Sequence, residues 1–226
     1  MPRILVFDVN ETLLELRALD PLFERIFGDP AARKEWFLQM IQSALVATAT
    51  NAYADFGTIG RAAFAMTASR RDLPLLESDR EEVLDAMKTL PPHPEVPRAL
   101  GRLREAGFRM VALTNSTLET ANAQLSDSGL INFFEAIFSA DEVRRLKPAP
   151  DPYLMVASRM GTGASGLRLV AAHAWDVAGA LRAGCEAAFV ARPGMVLDPL
   201  APAPGIVGKD LEDAAGRIIA AERRAA

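Results

Sequence analysis

Residues Ile4 to Leu14 read I-L-V-F-D-V-N-E-T-L-L. A short apolar run, suited to a buried strand, stops at Asp8, and polar residues follow as far as Thr12. Central strands of parallel sheets are covered on both faces and so read as unbroken apolar runs, and ligands of such sheets bind just beyond the strands' carboxyl ends. Asp8 stands at that address. An aspartate there also suits a plainer role, capping the turn or helix that follows, so the rest of the chain has to decide.

At 226 residues, half of them hydrophobic, the chain can build a sizeable core, or a core and a smaller domain. The 25 Lys and Arg against 29 Asp and Glu leave a net charge of −4 with no basic cluster, which argues against a nucleic-acid partner. No apolar run approaches the ~20 residues of a membrane span, and Met1-Pro2-Arg3 leads straight into the first strand, so a soluble, cytoplasmic protein without a membrane partner is expected. The lone Cys185 cannot form an internal disulfide and reads as a small buried hydrophobe.

After Thr12 the pattern turns helical. Leu19, Leu22, Phe23, Ile26 and Phe27 share a face that ends at Gly28-Asp29-Pro30. A second helix starts near Ala31 and carries Trp36, Phe37, Met40, Ile41, Ala44 and Leu45. A third spans Thr58 to Ser69, and a fourth starts from Ser78 with Glu81 in a capping-box position. With no strand candidate before Pro91-Pro92-His93-Pro94, residues 16–92 read as an all-helical insertion.

Beyond it, helices alternate with strands Met110–Leu113, Ala136–Phe138, Leu167–Ala171 and Ala187–Val190, and a last amphipathic helix spans Asp210–Ala220. That rhythm predicts an α/β fold, a doubly wound, Rossmann-like parallel sheet. The first strand has to join the same sheet, which makes 1–15 and 93–226 one core domain and 16–92 a helical cap domain.

Each strand end carries polar residues. Thr114-Asn115-Ser116 precede a helix, where hydroxyl, amide and free N–H groups suit an anion, or where Asn115 or Ser116 is an ordinary N-cap. Lys147 lies in a loop held by three prolines, with Tyr153 opening the next helix. His173, Trp175 and a second carboxylate, Asp176, follow the fourth strand.

Asp8 with Thr12, Thr114-Asn115, Lys147-Pro148 and Asp176, in this order, resemble the four motifs of the haloacid dehalogenase superfamily over the whole chain, because that family's cap is inserted directly after its first motif. The stretches around Lys147–Tyr153 and Ala174–Asp176 are most similar to the type II 2-haloacid dehalogenases. The resemblance implies that Asp8 displaces halide from C2 of a short haloacid and that water cleaves the resulting ester, without a cofactor. It gives catalytic roles to Asp8, Thr12, Lys147 and Asp176. The substrate side falls to Asn10, Phe37, Thr114, Asn115, Tyr153, His173 and Trp175.

A phosphatase of the superfamily needs an acid where Asn10 stands and a metal-binding carboxylate where Ala172 stands. Asn10 cannot donate a tuned proton and Ala172 binds no metal, so no metal site is expected. A halide leaving group needs no proton. The chain departs from the type II pattern at Asn10-Glu11 in place of Tyr-Gly, at Ala171 and His173 in place of serine and asparagine, and at Phe37, which an ungapped placement puts where the cap's halide-receiving arginine belongs. Fluoroacetate or another small acid is therefore a candidate substrate. A phosphatase with an atypical metal site and a non-catalytic binding protein stay as alternatives, and the apolar second helix is compatible with a homodimer.

Overall fold

The structure is a computed structural model that describes residues 2–74 and 76–225. β1 (Ile4–Phe7) opens the chain. It is followed by helices α1 (Asp20–Phe27), α2 (Ala32–Thr50), α3 (Phe56–Arg70) and α4 (Glu77–Ala86). Then come α5 (Val96–Glu105), β2 (Met110–Thr114), α6 (Leu118–Asp127), β3 (Ala136–Ser139), α7 (Pro150–Arg159), β4 (Leu167–Ala171), α8 (Ala174–Arg182), β5 (Glu186–Val190), β6 (Ile206–Gly208) and α9 (Leu211–Ala225). The strands form one parallel sheet in the order β3-β2-β1-β4-β5-β6.

The chain winds outward from β1 through β2 to β3, then returns to lay β4 on the other side of β1. A crevice forms where the winding reverses, outside the carboxyl ends of the strands. Asp8 follows β1 and His173 and Asp176 follow β4, so they share that crevice. The pairing of Phe7 with Val170 sets their relative height.

Successive β1 residues point to opposite faces. Ile4 and Val6 pack with Val156 and Val177, whereas Leu5 and Phe7 join Leu100, Leu103, Leu211 and Ile218. That second cluster runs on without a break into the insertion through Leu13, Leu14 and Leu16. There Phe23, Phe27, Trp36 and Phe64 stack edge and face. Each fully buried side chain of this kind contributes about 1.5–3 kcal/mol, so sheet and insertion are joined by apolar burial as well as by chain connection.

The structure departs from the sequence reading in particular places. Helix α3 begins two residues before Thr58, because Asp55 Oδ1 accepts from the Thr58 N–H at 2.9 Å. The capping box from Ser78 is absent, since α4 already starts at Glu77 without a side-chain cap and Glu81 pairs with Arg61 on α3. β6 went unseen because three residues beyond a proline-rich stretch carry too little pattern. Neither Asn115 nor Ser116 caps α6; Thr117 does, accepting from Thr120 N–H. Tyr153 is the fourth residue of α7 and does not open it.

Candidate active site

Lys147 Nζ sits in the crevice with each of its three N–H bonds used: on Asp8 Oδ1 at 2.9 Å, on Asp176 Oδ2 at 2.7 Å and on the Leu113 carbonyl at 2.9 Å. Its side chain is fully buried. Burial alone lowers a lysine's proton affinity, but Asp176 and Asp8 outweigh it and hold the ammonium charged. Both main-chain polar groups of Lys147 are clasped by Asn115, whose Oδ1 accepts from the N–H at 2.8 Å and whose Nδ2 donates to the carbonyl at 3.2 Å. Asn115 therefore spends its amide on placing the lysine.

The two oxygens of Asp8 are not equivalent. Oδ2 accepts from Thr12 Oγ1 at 2.7 Å and lies 3.1 Å from His173 Nδ1, whereas Oδ1 has Lys147 alone. Oδ1 thus keeps an open lone pair. Burial favours a protonated Asp8, yet Lys147 and His173 override it and hold the carboxyl well below the usual carboxylate range. Thr12 is fixed in turn: its hydroxyl accepts from Ala172 N–H at 2.9 Å, and its carbonyl accepts two N–H bonds from the buried Arg192.

Asp176 is wholly buried, with Tyr153 Oη donating to its Oδ1. Burial is the main reason its proton affinity rises; the Lys147 charge opposes this and Asp8 adds to it. Burial also raises the Tyr153 hydroxyl well above its ordinary value, so it stays a donor. Gly179, one turn along α8, permits this packing, since a Cβ there would lie 2.5 Å from Pro148 Cβ and 2.8 Å from Tyr153 Oη. We expect Gly179→Ala to cost about 1–3 kcal/mol and to reduce turnover by displacing Tyr153 and the lysine loop. Chemical denaturation and kcat measured on the same preparation check this; a variant matching wild type in both would contradict it.

His173 bridges two carboxylates, with Nδ1 on Asp8 and Nε2 3.0 Å from Glu11 Oε2. A neutral imidazole has one N–H and would set a bare lone pair against one of them, so the geometry calls for imidazolium. Burial works against that charge, but the hydrogen bonds to Asp8 and Glu11 prevail and push His173 up to about 9. Glu11 reaches the ring from a left-handed conformation, φ 59°, which costs a non-glycine residue about 1–2 kcal/mol. Phe37 and Trp175 flank the imidazole, with ring centroids 5.8 and 5.1 Å away.

Phe37 therefore lines the site, and one turn before it on α2 stands a buried cation. Arg33 on α2 is buried, pairs with Asp20, and lies 3.7 Å from Glu11. The other end of α2 and the residues after it meet the loop before Lys147: Thr48 Oγ1 lies 3.5 Å from the Leu146 carbonyl, Arg145 bonds Asn51, and Tyr53 bonds Asp141. Thr114 Oγ1 accepts from Ser116 N–H, and Asn10 is held by Gln124 and Ser116, so both are buried in supporting contacts. Glu11 stands in the sequence only as a departure from Tyr-Gly and not as a partner of His173, and Arg192 and Gln124 lie in no recognisable pattern.

A divalent ion shared by Asp8 and Asp176 would need the place that Lys147 Nζ fills. Among the described residues no group of three or more His, Cys, Asp and Glu is arranged to hold a metal. The residues present do not fit one.

Residues 2–184 match the family of haloacid dehalogenase-like hydrolases. The chain is 28% identical to the (S)-2-haloacid dehalogenase of Xanthobacter autotrophicus over 194 residues, 85% of this chain and 76% of that one. It is 26% identical to haloacetate dehalogenase H-2 of Moraxella sp. (strain B), over 88% of this chain and 90% of that one. The solved structure of the Xanthobacter L-2-haloacid dehalogenase with chloropropionic acid covalently bound superposes with a TM-score of 0.90 at 25% identity, covering 96% of this chain and 98% of that one. With a match across most of its length, and with the strand order and insertion that such a match entails, the chain belongs to the haloacid dehalogenase-like hydrolases.

Proposed function

We propose that this protein is a metal-independent hydrolase of carbon–halogen bonds in short 2-haloacids, with residues 16–92 as a cap domain over a core of 1–15 and 93–226. The observation that carries the reading is the lysine ammonium between two buried carboxylates, which keeps Asp8 ionised and occupies the position between them. Asp8 Oδ1, with its open lone pair, attacks C2; the oxygen–carbon bond forms as the carbon–halogen bond breaks, and halide leaves with the bonding pair. Water then adds to Asp8 Cγ, giving up its proton to Asp176, whose burial raises its basicity. Negative charge collects on Oδ2, where Thr12 and His173 already donate. Collapse breaks the Cγ–Oδ1 bond, the departing 2-hydroxy acid takes up the proton held by Asp176, and Asp8 is restored as a carboxylate with one oxygen from water once the second water proton passes to solvent.

Phe37 and Trp175 make the dry wall that strengthens these charge contacts, and Arg33 is the cation the cap brings to the same wall. The test is halide release, measured by ion chromatography with chelator present, from fluoroacetate, chloroacetate and both enantiomers of 2-chloropropionate. Release from any of them supports the reading. A folded protein that releases none, yet cleaves phosphate esters with Mg²⁺, defeats it.

His173 gives this mechanism a pH signature. The imidazolium faces Asp8 and Glu11, with Arg33 behind Glu11 and Lys147 behind Asp8. Its folded-state value of about 9 lies above the ordinary 6.5. The stability it contributes is therefore complete below pH ~6.5 and lost as pH rises through ~9. We expect kcat to hold through neutrality and fall near pH ~9. His173→Asn should lower kcat about 10- to 100-fold and abolish that alkaline fall. An unchanged pH profile in the variant would remove His173 from the mechanism.

No helix among the described residues is long and apolar enough to cross a membrane. On this reading the enzyme works in the cytoplasm, where a single buried cysteine with its thiol pushed up to about 11 stays inert. Leu45 and Val46, exposed on α2, favour pairing of two caps, which sedimentation velocity reads directly.

A further inference from the structure

Among the clefts along the seam between the helical insertion and the sheet, two flank the site and carry opposite charges. One, of about 460 Å³, borders His173, Trp175 and Phe37 and carries Arg17, Arg33 and Lys34 against the single carboxylate of Glu11. The other, of about 290 Å³, borders Ser116 and Met87 and carries Asp55, Glu81, Asp85 and Glu119 against Arg61 and Lys88. On a chain with a net charge of −4 the cationic cleft runs against the average.

Arg33 is committed to Asp20 and Glu11. Arg17 and Lys34 are exposed, and among the described residues neither has an ion-pair partner, so their fields reach the solvent. We propose that the cationic cleft is the approach by which an anionic substrate reaches Asp8, with Arg17 and Lys34 as the guiding charges at its mouth. This rests on the proposed function only in taking the substrate to be a carboxylate anion.

Clefts lined by one sign of charge concentrate counter-ions and raise association rates by about 10- to 10³-fold. Salt screens such fields over about 8 Å at physiological ionic strength. The acidic cleft repels the same ions, so an anion is sorted between the two before it meets the nucleophile. Arg17 and Lys34 touch no group used in the bond-breaking steps, and their effect falls on substrate capture alone.

The test is the double variant Arg17→Glu, Lys34→Glu, beside Arg61→Glu, Lys88→Glu in the other cleft. At ~10 mM salt the first should lower kcat/KM for a haloacid about 5- to 20-fold with kcat within about 2-fold of wild type, and the gap should close by ~0.5 M salt. The second should leave kcat/KM within about 2-fold.

A readout independent of turnover is iodide quenching. The chain has two tryptophans; Trp36 is fully buried and Trp175 is partly exposed in the cationic cleft. Iodide quenching should fall about 3-fold in the first variant while quenching by neutral acrylamide stays the same. Equal iodide quenching in wild type and variant, or a kcat that falls in step with kcat/KM, overturns the proposal. A wild-type protein that turns over no haloacid fails the functional reading instead, and the quenching arm still decides the role of the cleft.

Discussion

Asp8→Asn is expected to cut halide release by at least about 10⁴-fold while leaving the fold intact. The amide is a far weaker nucleophile than the carboxylate. The surroundings tolerate it because Lys147 keeps Asp176 and the Leu113 carbonyl as acceptors. Loss of release with unchanged unfolding temperature separates a chemical role from a structural one.

The same residue supplies a stricter check. One turnover of unlabelled enzyme in H₂¹⁸O should put the heavy oxygen on Asp8 and leave the first equivalent of hydroxy acid unlabelled, because water attacks Cγ and not C2. Peptide mass spectrometry reads this. Label in the first equivalent of product would mean direct displacement by water, and the ester would have to be abandoned.

Lys147→Met should be the most damaging single change in the core. Removing one partner from a buried charge cluster costs about 3–5 kcal/mol, and here it leaves Asp8 and Asp176 facing each other without a cation and the Leu113 carbonyl without a donor. For a chain of this size that is a fall in Tm of about 6–20 °C, with kcat down by about 10³-fold or more.

The pH dependence carries a definite sign. In the wild type Asp8 is held below its ordinary value, so its contribution is present above pH ~4 and is lost as pH falls through the lower folded value. In the variant both carboxyls rise and the folded state gains protons in acid. The difference in Tm between the two proteins should therefore be largest at neutral pH and narrow as the solution is acidified. A difference that widens in acid would show that Lys147 acts through something other than its charge.

Much of this site could be read from the chain because its parts follow strands. An apolar run that halts at Asp8 and another that halts before His173 and Asp176 announce a parallel sheet and its carboxyl edge, and the edge is where the structure gathers them. The strand of three residues at Ile206 was not legible, since so short an edge has no period to detect. Arg33 was hidden for a different reason. It lies one helical turn before Phe37 and on the same buried face, and only the fold shows it beside Glu11 and Asp20. Glu11, Gln124 and Arg192 act through pairings between distant parts of the chain, |i−j| from 37 to 180, which no local window contains.

Helix α2 has a consequence for how this enzyme changes over evolutionary time. It is about 28 Å long. One end presents Arg33, Lys34, Phe37, Leu38 and Ile41 to the cationic cleft, while the other end leans on the loop that carries Lys147. On the proposed mechanism the residues that break bonds come from the loops and helix start at the carboxyl edge of the sheet, and those that meet the incoming acid come largely from this one helix. Preference for acid and halogen can therefore drift through substitutions on a single exposed-to-buried stripe, with the reaction itself inherited unchanged. A combinatorial library confined to those five positions is the natural place to breed new substrate ranges.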